Sequence, residues 1–155
     1  MAIQTQMTPK TADTEFEPFK VNVRMKISAL WTAMLFVFAY VDIFSQLRPD
    51  FRADVEAGVV GGFIVNQTFL VATTLYIAIP SLMVFGALVL RPRINRIANI
   101  TLSILYALTI IAGAIGEWTY YILGSAIEVA LLAAIFHYAR NWPKVAPDTS
   151  ILNPR

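Results

Sequence analysis

The chain contains no cysteine and only one histidine, His137. The missing cysteines exclude disulfides, thiolate nucleophiles, iron–sulfur clusters and cysteine-based zinc sites. A single histidine also excludes a haem held by two histidines of one chain. The sequence has no glycine-rich phosphate loop, no metal-ligand cluster and no Ser–His–Asp set. It also lacks a basic stripe with interleaved aromatics, so we expect no nucleic-acid partner. Any cofactor stays unidentified at this stage.

Charged residues are scarce as well. They make up 14 % of the chain, against roughly a quarter in soluble domains, whereas hydrophobic residues make up 57 %. The charges lie almost entirely between long uncharged runs, a pattern typical of a multi-pass membrane protein. The runs predict transmembrane helices at about residues 27–47, 63–90, 97–115 and 120–138. We therefore expect an all-α fold, an integral membrane antiparallel four-helix bundle.

The remaining segments divide the chain into three parts. Residues 1–26 are polar and mixed in charge, and they predict a flexible tail before the transmembrane domain of residues 27–140. Residues 141–155 predict a second tail. The longest connection, residues 48–62, contains a predicted short interfacial helix within residues 50–60.

Single residues mark some of the helix ends and one interior kink. Ser28 and Asn95 are the predicted N-caps of the first and third helices, because short polar side chains accept hydrogen bonds from the first free amides. Pro80 lies inside the second predicted helix and would kink it near Tyr76. The hydroxyls of nearby Thr and Ser residues could satisfy the carbonyl that Pro80 frees.

The distribution of Lys and Arg predicts the orientation. Only Arg48 and Arg52 lie on one side of a four-span chain. The other ten lie before the first run, between the second and third runs, and after the fourth: Lys10, Lys20, Arg24, Lys26, Arg91, Arg93, Arg96, Arg140, Lys144 and Arg155. The positive-inside rule then places the N- and C-termini in the cytoplasm and the chain in the cell membrane.

Asp42 is the one charged residue inside the first apolar run. A carboxylate in hydrocarbon costs several kcal/mol unless it is protonated, paired or in contact with water. With the N-terminus in the cytoplasm, Asp42 lies about 22 Å along the helix, in the outer half of the bilayer. Gln46 is one turn further out, and Asn66 and Gln67 enter the second helix at a similar depth.

The fourth helix carries a second acidic residue at this level. Glu117, Tyr121, Gly124 and Glu128 are spaced i, i+4, i+7 and i+11, so they share one face if the helix continues through Glu117. Three helices would then bring polar groups to the outer half of one bundle.

These residues predict an outward-opening pocket for a small lipophilic ligand. Asp42 and Glu128 would form its catalytic acid–base pair, because two carboxyl groups in a low dielectric do not both ionise easily and one keeps a transferable proton. The predicted ligand-binding residues are Gln46, Asn66, Gln67, Tyr121 and Glu117. In the structural alternative, the two acids are protonated fasteners between helices, worth roughly 0.6 kcal/mol each. Whether the protein is an enzyme is left open.

Two other functions fit the same residues. Proton- or ion-coupled transport would need a homo-oligomer, because a four-span monomer is too small for a wide pore. An accessory subunit would turn its polar groups toward a partner protein. Membrane lipids are the expected surroundings in each case, and Arg91, Arg93 and Arg96 would serve as orientation signals or contact lipid phosphates.

With these residues in view, the chain resembles a family of small, four-span bacterial integral membrane proteins of unknown function. The resemblance covers roughly residues 26–140. The matching elements are Tyr40-Val-Asp42-Ile43, Gly62-Phe63 with Gln67, Ile79-Pro80, and Asn95-Arg96-Ile-Ala98-Asn99-Ile100. The resemblance implies a four-span fold and implies no activity.

Overall fold

The computed structural model describes residues 21–143, which form five helices and one two-stranded hairpin. The helices are α1 (Val23–Ser45), α2 (Pro49–Glu56), α3 (Gln67–Val89), α4 (Pro92–Gly113) and α5 (Thr119–Arg140). The hairpin strands are β1 (Val59–Val60) and β2 (Phe63–Ile64). The described part is thus all-helical apart from the hairpin, as the sequence predicted. The two predicted tails lie outside the described residues except for 21–26 and 141–143.

Four of the helices are long and apolar enough to cross a membrane by length and composition: α1, α3, α4 and α5. Each has 22 or 23 residues, which corresponds to about 33–35 Å, more than a hydrocarbon core of about 30 Å. Large apolar side chains such as Phe36, Leu82, Phe85 and Leu123 are exposed along them. A multi-pass membrane protein explains this combination.

The helix starts differ from the predicted ones for local reasons. The cap of α1 is Asn22, whose side chain accepts a hydrogen bond from the Arg24 amide at 2.9 Å. Ser28, the expected cap, lies inside α1 and donates to the Val84 carbonyl of α3 at 2.8 Å. Helix α4 begins at Pro92, because the fixed φ of proline suits the first helical position. Asn95 therefore lies within α4 and is not its cap.

The connection between α1 and α3 is more ordered than a simple loop. Pro49 opens α2, which is shorter than the predicted interfacial helix. Val60 then pairs with Phe63 in the hairpin, and Gly61 and Gly62 form its turn with φ of 58° and 82°. Both residues of this turn need positive φ, which glycine adopts without steric cost.

Pro80 lies inside α3 and is buried. It lacks the amide that would bond to the Tyr76 carbonyl four residues earlier. The Tyr106 hydroxyl of α4 donates to that carbonyl instead. The hydroxyls that the sequence offered for this task are used elsewhere, since Thr73 donates to Phe69 and Ser81 to Ile77. The freed carbonyl thus becomes a bond between two helices.

Helix α5 packs against both α1 and α4, while α1 also packs against α3. The fully buried apolar residues lie mainly between α1 and α5: Ile27, Trp31, Met34, Leu132, Ile135 and Ala139. Gly124 of α5 lies so close to α1 that a Cβ there would be 2.3 Å from Val41 Cγ2. This close approach sets the distance between the two helices that carry the acidic residues.

Candidate functional site

Glu128 is the most deeply buried ionisable residue of the described chain, with 2 % of its surface exposed. It lies on α5, one turn after Gly124. Within residues 21–143, its carboxyl group makes no hydrogen bond. In the same part of the chain, every side-chain oxygen that is fully enclosed does have a hydrogen-bond partner. The Glu128 oxygens therefore keep a small accessible surface, although the residue as a whole is nearly buried. A carboxyl group can accept a hydrogen bond and, when protonated, donate one.

Asp42 is exposed on α1 and follows Val41, the residue that packs on Gly124. The close contact of α1 with α5 brings Asp42 near enough to Glu128 for a charge on one carboxyl group to act on the other. The structure thus brings together the two residues that the sequence predicted as an acid pair.

Two tyrosines lie within electrostatic range of both carboxyl groups. They are Tyr121 of α5, a predicted ligand-binding residue, and Tyr76 of α3. The Tyr76 hydroxyl forms a hydrogen bond with Thr109 Oγ1 at 2.7 Å, and its ring lies 4.7 Å from that of Tyr106. From the sequence, Tyr76 was predicted only as the position of a kink. Tyr76 lies four residues before Pro80, and this spacing could have marked it as a residue near the site.

Three other predicted ligand-binding residues lie at the end of the molecule that carries α2 and the hairpin. Gln46 follows α1 as its C-terminal cap and is exposed, as is Gln67 at the first position of α3. Asn66 caps α3 by accepting a hydrogen bond from the Phe69 amide at 2.9 Å.

Glu117 does not belong to the predicted polar face of α5. The helix begins at Thr119, and Gly116, with φ of 83°, breaks the chain direction just before Glu117. The Glu117 carboxylate instead forms a salt bridge with Arg48, which follows α1. The polar face therefore starts at Tyr121, and the predicted ligand-binding role of Glu117 conflicts with this pairing.

Arg48 is the centre of a cluster that the sequence analysis did not find, which we call the Arg48 cluster (Arg48, Asp50, Glu117 and Trp118). The Arg48 side chain is only 12 % exposed and bonds Asp50 at 2.6 Å as well as Glu117. Its guanidinium lies 4.8 Å from the centre of the Trp118 ring, within the range of a cation–π interaction. The cluster joins the start of α2 to the connection between α4 and α5.

The cluster also shifts two pKa values. The hydrogen bonds that Arg48 donates to Asp50 raise the pKa of Arg48 and lower the pKa of Asp50 below its ordinary value of 3.8. A lowered carboxylate pKa stabilises the folded state at pH values above the ordinary one. That contribution is lost as the pH falls through the lowered pKa, so the Arg48–Asp50 bond weakens only in strong acid.

Replacing Arg48 by glutamine should loosen this end of the molecule. We expect Arg48→Gln to reduce local stability by about 0.5–1.5 kcal/mol, since the cluster is partly shielded from water and one Arg serves two carboxylates. Hydrogen exchange should become faster in residues 49–56 and 114–118. Arg52→Gln removes the same charge from an exposed position of α2 and is the control. Equal exchange in both variants would contradict a linking role for Arg48.

An open groove of about 660 Å³ lies between the hairpin and α3. Its lining consists of Gly62, Phe63, Ile64, Asn66, Thr68, Phe69, Ala72, Thr73 and Tyr76. Asn66 is the one predicted ligand-binding residue in that lining, and neither acid lines the groove. Tyr76 is the lining residue furthest along α3, and it is within electrostatic range of both carboxyl groups. We call this space the hairpin groove.

The residues 21–143 contain no group of three or more His, Cys, Asp or Glu side chains placed to hold a metal ion. The ionisable side chains of the site are carboxyl and phenol groups. These groups can donate and accept hydrogen bonds and exchange protons.

Comparisons with curated proteins and with solved structures gave no match. A family model described as a family of unknown function, DUF6326, matches residues 16–148. The match includes all five helices and is longer than the roughly 26–140 range of the resemblance seen in the sequence. It confirms that resemblance. Because it covers most of the 155 residues, the chain belongs to the DUF6326 family of unknown function.

Proposed function

We propose that the protein is a multi-pass membrane protein that binds a small lipophilic ligand between Asp42 and Glu128. Its four long helices would form an antiparallel bundle, as two contacts support. The Arg24 side chain donates to the Leu88 carbonyl at 2.6 Å, so the start of α1 lies beside the end of α3. Ser45 and Tyr120 hydroxyls are 2.9 Å apart, so the end of α1 lies beside the start of α5.

Charge asymmetry supports an orientation with both termini in the cytoplasm. One end of the described molecule carries six cations, namely Arg24, Lys26, Arg91, Arg93, Arg96 and Arg140. The other end carries Arg48 and Arg52 together with Asp50, Asp54, Glu56 and Glu117. An excess of Lys and Arg on one side marks the cytoplasmic side of a membrane protein. The site would then lie in the outer half of the bilayer.

The observation that carries the proposal is the state of Glu128. It is buried, without a hydrogen-bond partner in the described chain, and beside a second carboxyl group. A nearly buried carboxyl group gains free energy from a hydrogen-bonding partner, and gains more when it is charged. A ligand with a complementary polar group would recover that free energy. Tyr76 and Tyr121 supply two more hydrogen-bonding groups in the same region.

The proposal predicts that each acid is needed for binding and that neither is needed for folding. Glu128→Gln and Asp42→Asn keep the shape of the side chain and remove the carboxyl group that can ionise. We expect each to weaken ligand binding at least about tenfold, the loss expected for one hydrogen bond to a charged group. Small molecules retained by the gently purified protein can be identified and quantified by native mass spectrometry.

Glu56→Gln is the matched control, because it removes one carboxylate from an exposed position of α2. Thermal unfolding of all three variants should stay close to that of the parent protein. Equal ligand retention in Glu128→Gln, Asp42→Asn and the parent would contradict the proposal and favour the acids as fasteners between helices.

A further inference from the structure

We infer that the ligand of this site is a lipophilic cation, with an apolar body and a single positive charge. The inference rests on the proposed function and names the chemical class of its ligand. Its first support is the sign of the charges. Residues 27–47, 63–90 and 97–136 contain three acidic residues and no Lys, Arg or His. The three are Asp42, Glu117 and Glu128.

No cation within those segments can pair with the two acids of the site. The nearest basic residue along α1 is Arg48, which is bound to Asp50 and Glu117. Charges inside a membrane are paired or face water, because an unpaired charge in hydrocarbon is costly. A positively charged ligand would supply the opposite charge that the described chain does not supply. A neutral or anionic ligand would not.

Aromatic rings near Asp42 favour a cation as well, since Phe38 lies one helical turn before Asp42 on α1. The rings of Phe38 and Tyr76 are 6.2 Å apart, and those of Tyr76 and Tyr106 are 4.7 Å apart. A cation within about 6 Å of an aromatic face is attracted by the electrons of the ring, more strongly where water is absent. Tyr76 belongs to this cluster and is within range of Asp42 and Glu128.

The hairpin groove provides the space for the apolar body. Its volume of about 660 Å³ lies in the range of about 300–1,000 Å³ that drug-sized ligands fill. Phe63, Ile64 and Phe69 line it, and so does Tyr76, which is within electrostatic range of both acids. A cationic amphiphile would lie with its apolar part in the groove and its charge toward Tyr76 and the two carboxyl groups.

The exchange of protons follows from charge balance. When a permanently charged cation binds, the carboxyl proton leaves to water and the carboxylate pairs with the cation. When a neutral amine binds, the same proton passes to the amine nitrogen and none is released. The titratable groups within range of this exchange are Asp42 on α1, Tyr76 on α3, and Tyr121 and Glu128 on α5, and Tyr106 of α4 contacts the Tyr76 ring.

Three aryl probes test the sign of the charge. Tetraphenylphosphonium and tetraphenylborate are tetrahedral ions of nearly equal shape, and triphenylphosphine oxide is a smaller neutral probe with three phenyl groups. Each is titrated into the full chain in nanodiscs of zwitterionic phosphatidylcholine, with empty nanodiscs subtracted and proton release followed by a pH indicator. We expect saturable binding of tetraphenylphosphonium with proton release. Glu128→Gln should weaken that binding at least about tenfold, and Glu56→Gln should leave it unchanged.

The other outcomes separate this inference from the proposed function. If triphenylphosphine oxide or tetraphenylborate binds in a Glu128-dependent way and the phosphonium does not, the ligand class is wrong and the ligand site stands. If no probe binds saturably and the purified protein also retains no ligand, both are wrong.

A pair of groove variants tests where the apolar body lies. Ala72 lines the hairpin groove, and Ala126 lines a separate groove between α4 and α5. Ala72→Trp should weaken phosphonium binding several-fold, because the indole fills the proposed space. Ala126→Trp should not. Equal affinities in the two variants would overturn the assignment of the hairpin groove.

Discussion

Gly124→Ala should destabilise the protein by about 1–3 kcal/mol, the usual cost of inserting a methyl group into a close-packed interface. A loss of stability would be unusual here, because replacing glycine by alanine inside a helix normally stabilises it by about 1 kcal/mol. Here the added Cβ would be 2.3 Å from Val41 Cγ2, so α1 and α5 must move apart. Chemical denaturation in detergent micelles, followed by circular dichroism, measures the difference.

Gly113→Ala is the matched control for this substitution. Gly113 is also helical, at the end of α4, but a Cβ there would meet only the Tyr121 hydroxyl at an ordinary 3.8 Å. It should be neutral or slightly stabilising. Val41→Ala removes the methyl groups that clash, so the double variant Val41→Ala/Gly124→Ala should recover much of the lost stability. Equal effects of the two alanines would show that the α1–α5 contact is looser than described.

The same substitution should change the site. Val41 precedes Asp42, and Glu128 follows Gly124 by one turn, so the contact that Gly124 permits also sets the distance between the two acids. Separating the helices weakens the interaction of the carboxyl groups as the distance between them grows. Ligand affinity should therefore fall in Gly124→Ala and return in the double variant with Val41→Ala.

The four long helices could be predicted because each contains a long apolar run with few or no charges, and in a chain this hydrophobic such a run indicates a membrane-spanning helix. Their ends could not be predicted equally well. Pro92 follows a basic segment and looks like the end of a loop, but proline is also a favoured first residue of a helix. The prediction that Glu117 shares a helix face with Tyr121 was wrong for a similar reason. The spacing of these residues fits a helix, but Gly116 has a positive φ and the helix begins only at Thr119. Spacing alone does not show where helical backbone stops.

Asp42 and Glu128 could be named as candidate site residues because a carboxyl group is conspicuous in an apolar run. The residues that surround them could not. Tyr106 bonds a backbone carbonyl, and a backbone acceptor leaves no trace in the side-chain sequence. Arg48 and Glu117 are separated by 69 positions in the chain and meet only when α1 packs beside α5. The Arg48 cluster is thus a product of the fold rather than of any local motif.

Asn99→Leu should destabilise the protein by about 2–4 kcal/mol, because it removes one residue from a buried network and leaves two polar groups unpaired. Asn99 Oδ1 accepts from the Trp31 indole at 2.7 Å, and its Nδ2 donates to Asn95 Oδ1 at 2.6 Å. Asn95 donates in turn to the Ala87 carbonyl at 2.7 Å, so the network joins α1, α3 and α4. Both asparagines are fully buried.

A double-mutant cycle with Trp31→Phe separates the network from simple packing. Trp31→Phe removes the indole donor, so it should cost less in the Asn99→Leu background than in the parent, with a coupling free energy of about 1 kcal/mol or more. Asn141→Leu is the control, because Asn141 is exposed and its side chain bonds only the His137 ring within residues 21–143; its effect should stay within about 0.5 kcal/mol. Additive effects of Trp31→Phe and Asn99→Leu would mean that the two residues act independently. A large coupling would instead identify the hydrogen bond between them as the link that holds α1 to α4, at the end of the molecule opposite the Arg48 cluster.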